Sequence, residues 1–127
     1  MSTALDGQPA KVARGARPWA AAFVVLLAVH LLSLYWPRVA VSGPVSWSDK
    51  VMHVLLFAAP VLAGLRARLP LVPLVAVFAL HAPVSELVQH VALRGRSGDV
   101  SDALADLAGV GLGLALALLI RGPRRVS

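Results

Sequence analysis

The chain has 127 residues, room for one domain. Apolar residues make up 58% and charged residues 14%, far from the roughly 45–50% and about 25% of soluble chains, which excludes an ordinary water-soluble domain. The net charge of +6 sits mainly in the tails and one short turn, with no basic stripe along any one helix, so nucleic acid is not an expected partner; without cysteine there is neither disulfide nor thiolate chemistry. In chain order, residues 1–18 carry Gly, Pro, Lys11, Arg14 and Arg17 with little to bury, and read as a disordered basic tail. Residues 19–35 form the first apolar run, roughly 25 Å long as a helix and enough to span most of a hydrocarbon core. A signal peptide is the rival reading, but the run is long for one, and Tyr35-Trp36-Pro37 follows it rather than a small-residue cleavage site. Trp19 at one end, with Tyr35 and Trp36 at the other, fits interfacial aromatic belts. His30 inside this run is expected to bond to a neighbouring helix.

Residues 37–48 read as a loop around Gly43 and Pro44, with Ser46 or Ser48 available to cap the next helix and Asp49 suited to its dipole. The second apolar run covers residues 51–65, with a kink expected at Pro60. Arg66-Ala67-Arg68 is a tight basic turn. Residues 70–91 are the third run, with Pro83 inside it, and residues 94–101 a polar loop. The fourth run, residues 102–120, ends in Arg121, Arg124 and Arg125 within a basic tail of residues 121–127. The expected architecture is an all-α membrane protein: four transmembrane helices in an antiparallel bundle over residues 19–120. Eight basic residues fall on the side of the termini and four on the other, so both termini are expected in the cytoplasm of a bacterial plasma membrane. In the fourth run Ala105, Gly109, Gly113 and Ala117 recur every four residues, a ridge of small side chains along which another helix can approach closely.

Four of the six acidic residues lie between Glu86 and Asp106, and a fifth, Asp49, opens the second run beside Lys50 and His53. Carboxylates in so apolar a chain are costly and mark a candidate site. Each of three helix ends on the outer side carries an i,i+4 pair: Asp49 with His53, Glu86 with His90, Asp102 with Asp106. Residues three or four apart share a helix face, so the pairs can point into one pocket, with His53, Glu86 and Asp106 deeper. Asp49, Lys50, Gln89, His90, Arg96, Asp99 and Asp102 then lie nearer the surface. Five acids against Lys50 and Arg96 leave a charge of −3, which burial does not tolerate unless carboxylates are protonated, a divalent cation binds or a cationic ligand enters. Asp, Glu and His suit Mg, Mn or Zn, so His53, Glu86, Asp102 and Asp106 are candidate ligands of a divalent metal. His53, Glu86 and Asp106 are the candidate catalytic groups, and Asp49, Lys50, Gln89, Arg96 and Asp102 the candidate binding groups. An ion-pair clamp joining three helices is the purely structural reading of the same residues, and Asp99 in particular suits a helix cap.

These residues resemble the VanZ-like family of small bacterial membrane proteins. Its pattern Asp-Lys-x-x-His-x-x-x-Phe matches Asp49-Lys50-Val51-Met52-His53-Val54-Leu55-Leu56-Phe57 in full. Its later Glu-x-x-Gln matches Glu86 to Gln89, and its Arg, Asp and Gly match Arg96, Asp102 and Gly109. Asp106 stands at the position of the family's Asn, and the Glu-to-Arg spacing is one residue longer. The resemblance covers roughly residues 45–118. It implies an envelope protein that affects susceptibility to teicoplanin-type glycopeptides or lipid-linked envelope chemistry, with a lipid-linked wall precursor or a glycopeptide as partner beside the bilayer itself. The residues leave three other functions open: a metal-assisted hydrolase or transferase on a lipid headgroup, a non-catalytic module binding a lipid or partner protein, and, last in rank because only His30 and His81 are polar far from the outer face, a proton or ion pathway.

Overall fold

The computed structural model describes residues 8–36, 47–93 and 99–120, with side chains from residue 15 onward. Four α-helices make up the described chain: α1 (Gln8–Tyr35), α2 (Trp47–Arg66), α3 (Leu71–Ala92) and α4 (Val100–Ile120). No strand occurs among the described residues. Each helix contains a stretch long and apolar enough to cross a membrane. In lipid the backbone has no water to bond with, and a helix satisfies its own N–H and C=O groups internally.

α1 begins well before the expected start at Trp19. Residues 8–18, read from sequence as part of a disordered tail, are helical. Ala, Lys and Arg between Pro9 and Pro18 are strong helix formers, and extending a helix already nucleated by the apolar span costs little. α2 runs without a break through Pro60. The tail positions before Gln8, the loop of residues 37–46 with Arg38, Gly43, Pro44 and Ser46, the turn with Arg94 and Arg96, and the basic tail after Ile120 lie outside the described residues.

Burial is inverted relative to a soluble bundle. Val24, Val72, Leu80, Val91 and Leu119 are exposed, while His30, His53, Glu86, Gln89, Asp102 and Asp106 are buried. Exposed apolar side chains on every helix fit a lipid surround, and the interior can then hold polar groups that partner one another. α2 has the lowest mean hydropathy of the four spans, 1.4, and the largest buried share, 44%. It can carry Asp49, Lys50 and His53 because the other helices shield it. Its Phe57, Val61 and Leu65 join Leu34 of α1, Leu74 and Phe78 of α3 and Val110 of α4 in the core.

α2 packs most extensively against α4. The small-residue ridge makes this possible. A Cβ on Gly109 would overlap the Val54 carbonyl oxygen and stand 2.9 Å from Phe57 Cβ; one on Gly113 would stand 2.5 Å from the Ala58 carbonyl oxygen. The backbones therefore touch, with Val54 against Gly109 and Ala58 against Gly113. One to two turns back along the same two helices, Lys50 meets Asp102 and His53 meets Asp106. The glycines fix the distance at which the acidic residues of α4 meet the basic ones of α2.

The turn between α2 and α3 closes with Leu69 N–H donating to the Gly64 carbonyl (3.0 Å) and Arg68 N–H to the Leu65 carbonyl (3.1 Å). This paired arrangement needs a left-handed residue just past the helix. Arg68 supplies it with φ 68°, and Pro70 follows, where it cannot extend the helix. Arg66 lies over the Trp19 ring, 5.4 Å from its centroid, so the Trp19 level of α1 and the end of α2 sit at one end of the molecule.

Candidate functional site

Three helix ends bring His53, Glu86 and Asp106 together. Asp106 lies on the α4 face that bears Gly109 and Gly113, and is fully buried. Its Oδ1 is 2.8 Å from His53 Nδ1. His53 Nδ1 is also 3.9 Å from Glu86 Oε1, and His53 Nε2 is 3.8 Å from Asp102 Oδ2. Lys50, one turn before His53, forms an ion pair with Asp102 Oδ1. The imidazole is thus set among three carboxylates, one from α3 and two from α4.

Glu86 is held in place by the start of α4. Its Oε2 accepts the Asp99 backbone N–H at 3.1 Å. Asp99 is itself fixed: its carboxylate accepts the Ser101 N–H (3.0 Å) and the Ser101 hydroxyl (2.8 Å), while its carbonyl accepts from the Asp102 and Ala103 amides as α4 begins. Asp99 is therefore a cap, with its carboxylate bonded to Ser101 and exposed to solvent. Those bonds, the Ser101 amide first, hold its carboxyl below the usual carboxylate range.

Glu86 Oε1 and Asp106 Oδ2 are buried and have no hydrogen-bond partner among the described residues. Buried polar atoms are nearly always paired, and unpaired carboxylate oxygens are costlier still. Asp49 is half-buried in the first turn of α2, where it could share a cation with His53 and Asp102. Asp102, however, already has Lys50 as its counter-charge.

Two placements expected from residue spacing change in space, and one falls outside the described residues. His90 is exposed and does not pair with Glu86 across the pocket. The inward face of α3 runs through Leu74, Phe78, Ala82, Ser85, Glu86 and Gln89, and at about 100° per residue His90 turns away from it. Gln89 is buried, but its amide donates to the Leu34 carbonyl at 2.8 Å and so fastens α3 to the end of α1. Arg96 lies outside the described residues, so Lys50 is the one described cation at the cluster.

A second polar cluster lies deeper, between α1, α2 and α3. Pro60 has no N–H to give the Leu56 carbonyl one turn back, and His30 Nδ1 supplies the donor from α1 at 2.8 Å. His30 Nε2 is 3.1 Å from His81 Nδ1, and His81 Nε2 is 2.6 Å from the Tyr35 hydroxyl. A carbonyl only accepts. For neutral rings the whole chain then has one direction: Tyr35 O–H donates to His81, His81 Nδ1–H donates to His30, and His30 Nδ1–H donates to Leu56. His30 bonds to a neighbouring helix, as its sequence position suggests; the roles of His81 and Tyr35 emerge only in space. The rings of Phe57 and Phe78 pack edge-on against His30. An apolar groove of about 430 Å³ opens between α1 and α3, lined by Phe23, Leu27, Leu31, Val77 and Phe78, with the two histidines at its floor.

No family model matches the chain, and no match is found among curated proteins or solved structures.

Proposed function

We propose that the chain is a VanZ-like multi-pass protein of a bacterial plasma membrane, and that its outward-facing polar pocket acts on lipid-linked envelope chemistry and so affects susceptibility to teicoplanin-type glycopeptides. One observation carries this reading. Asp49, Lys50, His53, Glu86 and Asp102, through which the sequence resembles that family, and Asp106, at the position of the family's Asn, are far apart in the chain yet meet at one end of the helices. Glycopeptides act outside the cell on lipid-linked wall precursors, and a pocket at the headgroup level of the outer leaflet is where such a precursor would be met.

The orientation follows from charge. In an antiparallel bundle Arg66 and Arg68 join the basic termini on one side, and Lys50 and the acidic pocket lie on the other. The positive-inside rule then assigns both termini to the cytoplasm. A reporter fused after Arg125 and active only outside the cytoplasm should stay silent; activity there reverses the orientation and removes the pocket from the outer face. For the function itself, expression in a teicoplanin-sensitive bacterium should raise tolerance. Glu86→Gln and His53→Ala should abolish the gain at equal membrane abundance. Full protection by both variants would separate the pocket from resistance.

A further inference from the structure

Among the described residues, two buried carboxylate oxygens beside His53 have no hydrogen-bond partner, and the carboxylates that bear them stand next to a third group that can bind metal. Asp102 Oδ1 is taken by Lys50, Glu86 Oε2 by the Asp99 amide and Asp106 Oδ1 by His53. Glu86 Oε1 and Asp106 Oδ2 are left over, on side chains only 8% and 0% exposed. His53, Glu86 and Asp106 each offer a ligand atom, all within 4.8 Å of one another. We propose that these three residues bind one divalent transition-metal ion, Zn2+ or Mn2+, through His53 Nδ1 and one oxygen from each carboxylate. This deepens the pocket reading above and takes from it only that the three helix ends form one working site.

Charge and geometry agree. A neutral imidazole with two carboxylates carries −2, which a divalent ion cancels where no second described cation can. Ligand atoms about 2.0–2.2 Å from a metal lie roughly 3–3.5 Å apart, and His53 Nδ1 already stands 2.8 Å from Asp106 and 3.9 Å from Glu86. One nitrogen and two carboxylates suit Zn2+ or Mn2+ better than a site of oxygens alone. The residues behind the ligands are also in place. A metal-bound histidine typically donates its other N–H to a carboxylate, and His53 Nε2 faces Asp102, which Lys50 holds. Binding moves the ring proton off Nδ1: a neutral ring changes tautomer with no net proton release, and an imidazolium releases one proton. Three protein ligands leave a coordination position open, as in catalytic rather than structural sites. A water or a phosphate oxygen of a lipid headgroup would take that position, and the ion would supply Lewis acidity to it.

The test uses the full chain in detergent, stripped with EDTA and then equilibrated with Zn2+ or Mn2+ alone. Elemental analysis should find one ion per chain. Glu86→Gln and Asp106→Asn should each weaken binding at least about tenfold, and Asp102→Asn about 10–100-fold as a positioning residue, while His90→Ala changes nothing. Binding unaffected by Glu86→Gln and Asp106→Asn, or no binding by the wild-type chain, overturns the site. If a variant fails to fold, the wild-type chain decides alone. A saturable rise in its thermal midpoint with Zn2+ or Mn2+, reversed by EDTA, supports the site, and an unmoved midpoint refutes it. Ion binding with no effect on teicoplanin tolerance leaves the metal site standing and removes the resistance role; tolerance lost in the variants of a chain that binds no ion does the opposite.

Discussion

The two buried polar clusters differ in one respect, and that respect separates structure from function. In the histidine chain every donor has an acceptor, from the Tyr35 hydroxyl through His81 and His30 to the Leu56 carbonyl that Pro60 leaves open. The cluster carries no net charge with neutral rings, and it binds α1 to both α2 and α3. Around His53 the inventory does not close: among the described residues carboxylates outnumber cations, and two buried oxygens lack partners. A satisfied network stabilises a fold and asks for nothing more. A network left short of positive charge keeps a cost that an incoming ligand can relieve, as expected where stability is given up for activity.

The sharpest way to break this contrast is to move α4. Gly109→Leu drives a side chain into the α2 backbone and should destabilise by more than about 4 kcal/mol or abolish the folded species, seen as loss of the monodisperse peak in detergent. A stable, well-folded Gly109→Leu chain would show that the ridge does not set the site. Next, His30→Leu strands the Leu56 carbonyl and one nitrogen of His81, and should cost about 2–4 kcal/mol in thermal or denaturant unfolding while leaving metal affinity unchanged. Asp106→Asn should do the reverse. It keeps an oxygen for His53 and removes a buried charge, so metal-free stability should hold or rise by about 1 kcal/mol while binding and tolerance are lost. A large stability loss from Asp106→Asn would make the acidic cluster a clamp like its neighbour.

The same division explains what the sequence reveals. The four spans are legible because length and apolar content alone decide them. The convergence of His53, Glu86 and Asp106 is legible because helical spacing puts Asp49 with His53 and Asp102 with Asp106 on single faces, and the Gly109–Gly113 ridge says which face of α4 meets a neighbour. The start of α1 is not legible, since apolar content does not report how far a helix of Ala, Lys and Arg extends beyond its span. Spacing also misplaces His90, because near the end of α3 the inward face passes through Ser85, Glu86 and Gln89, and His90 falls just outside it. The meeting of His30, His81 and Tyr35 depends on the rotation of α1 against α3, which no periodicity records. The one hint is chemical: a proline at position 60 leaves the Leu56 carbonyl in need of a donor.

The smallest effect probes the link between the α4 cap and Glu86. Asp99 is outside the apolar spans, and its carboxyl is held below its ordinary range by Ser101. A carboxyl whose pKa is lower folded than unfolded adds stability above the unfolded pKa, near 3.9, and loses it as pH falls through the folded value. Asp99→Asn keeps one acceptor but has no charge to titrate. The wild type should therefore melt slightly higher than the variant from pH 5 upward, and the gap should close below about pH 4. Because the Asp99 amide carries Glu86 Oε2, the variant's looser cap should also weaken metal binding at neutral pH by a small factor, with the His30 chain untouched. A gap that is constant from pH 7 to pH 3 would mean that the Ser101 bonds, not the ionised carboxylate, make the cap, and that Glu86 is held independently of its charge.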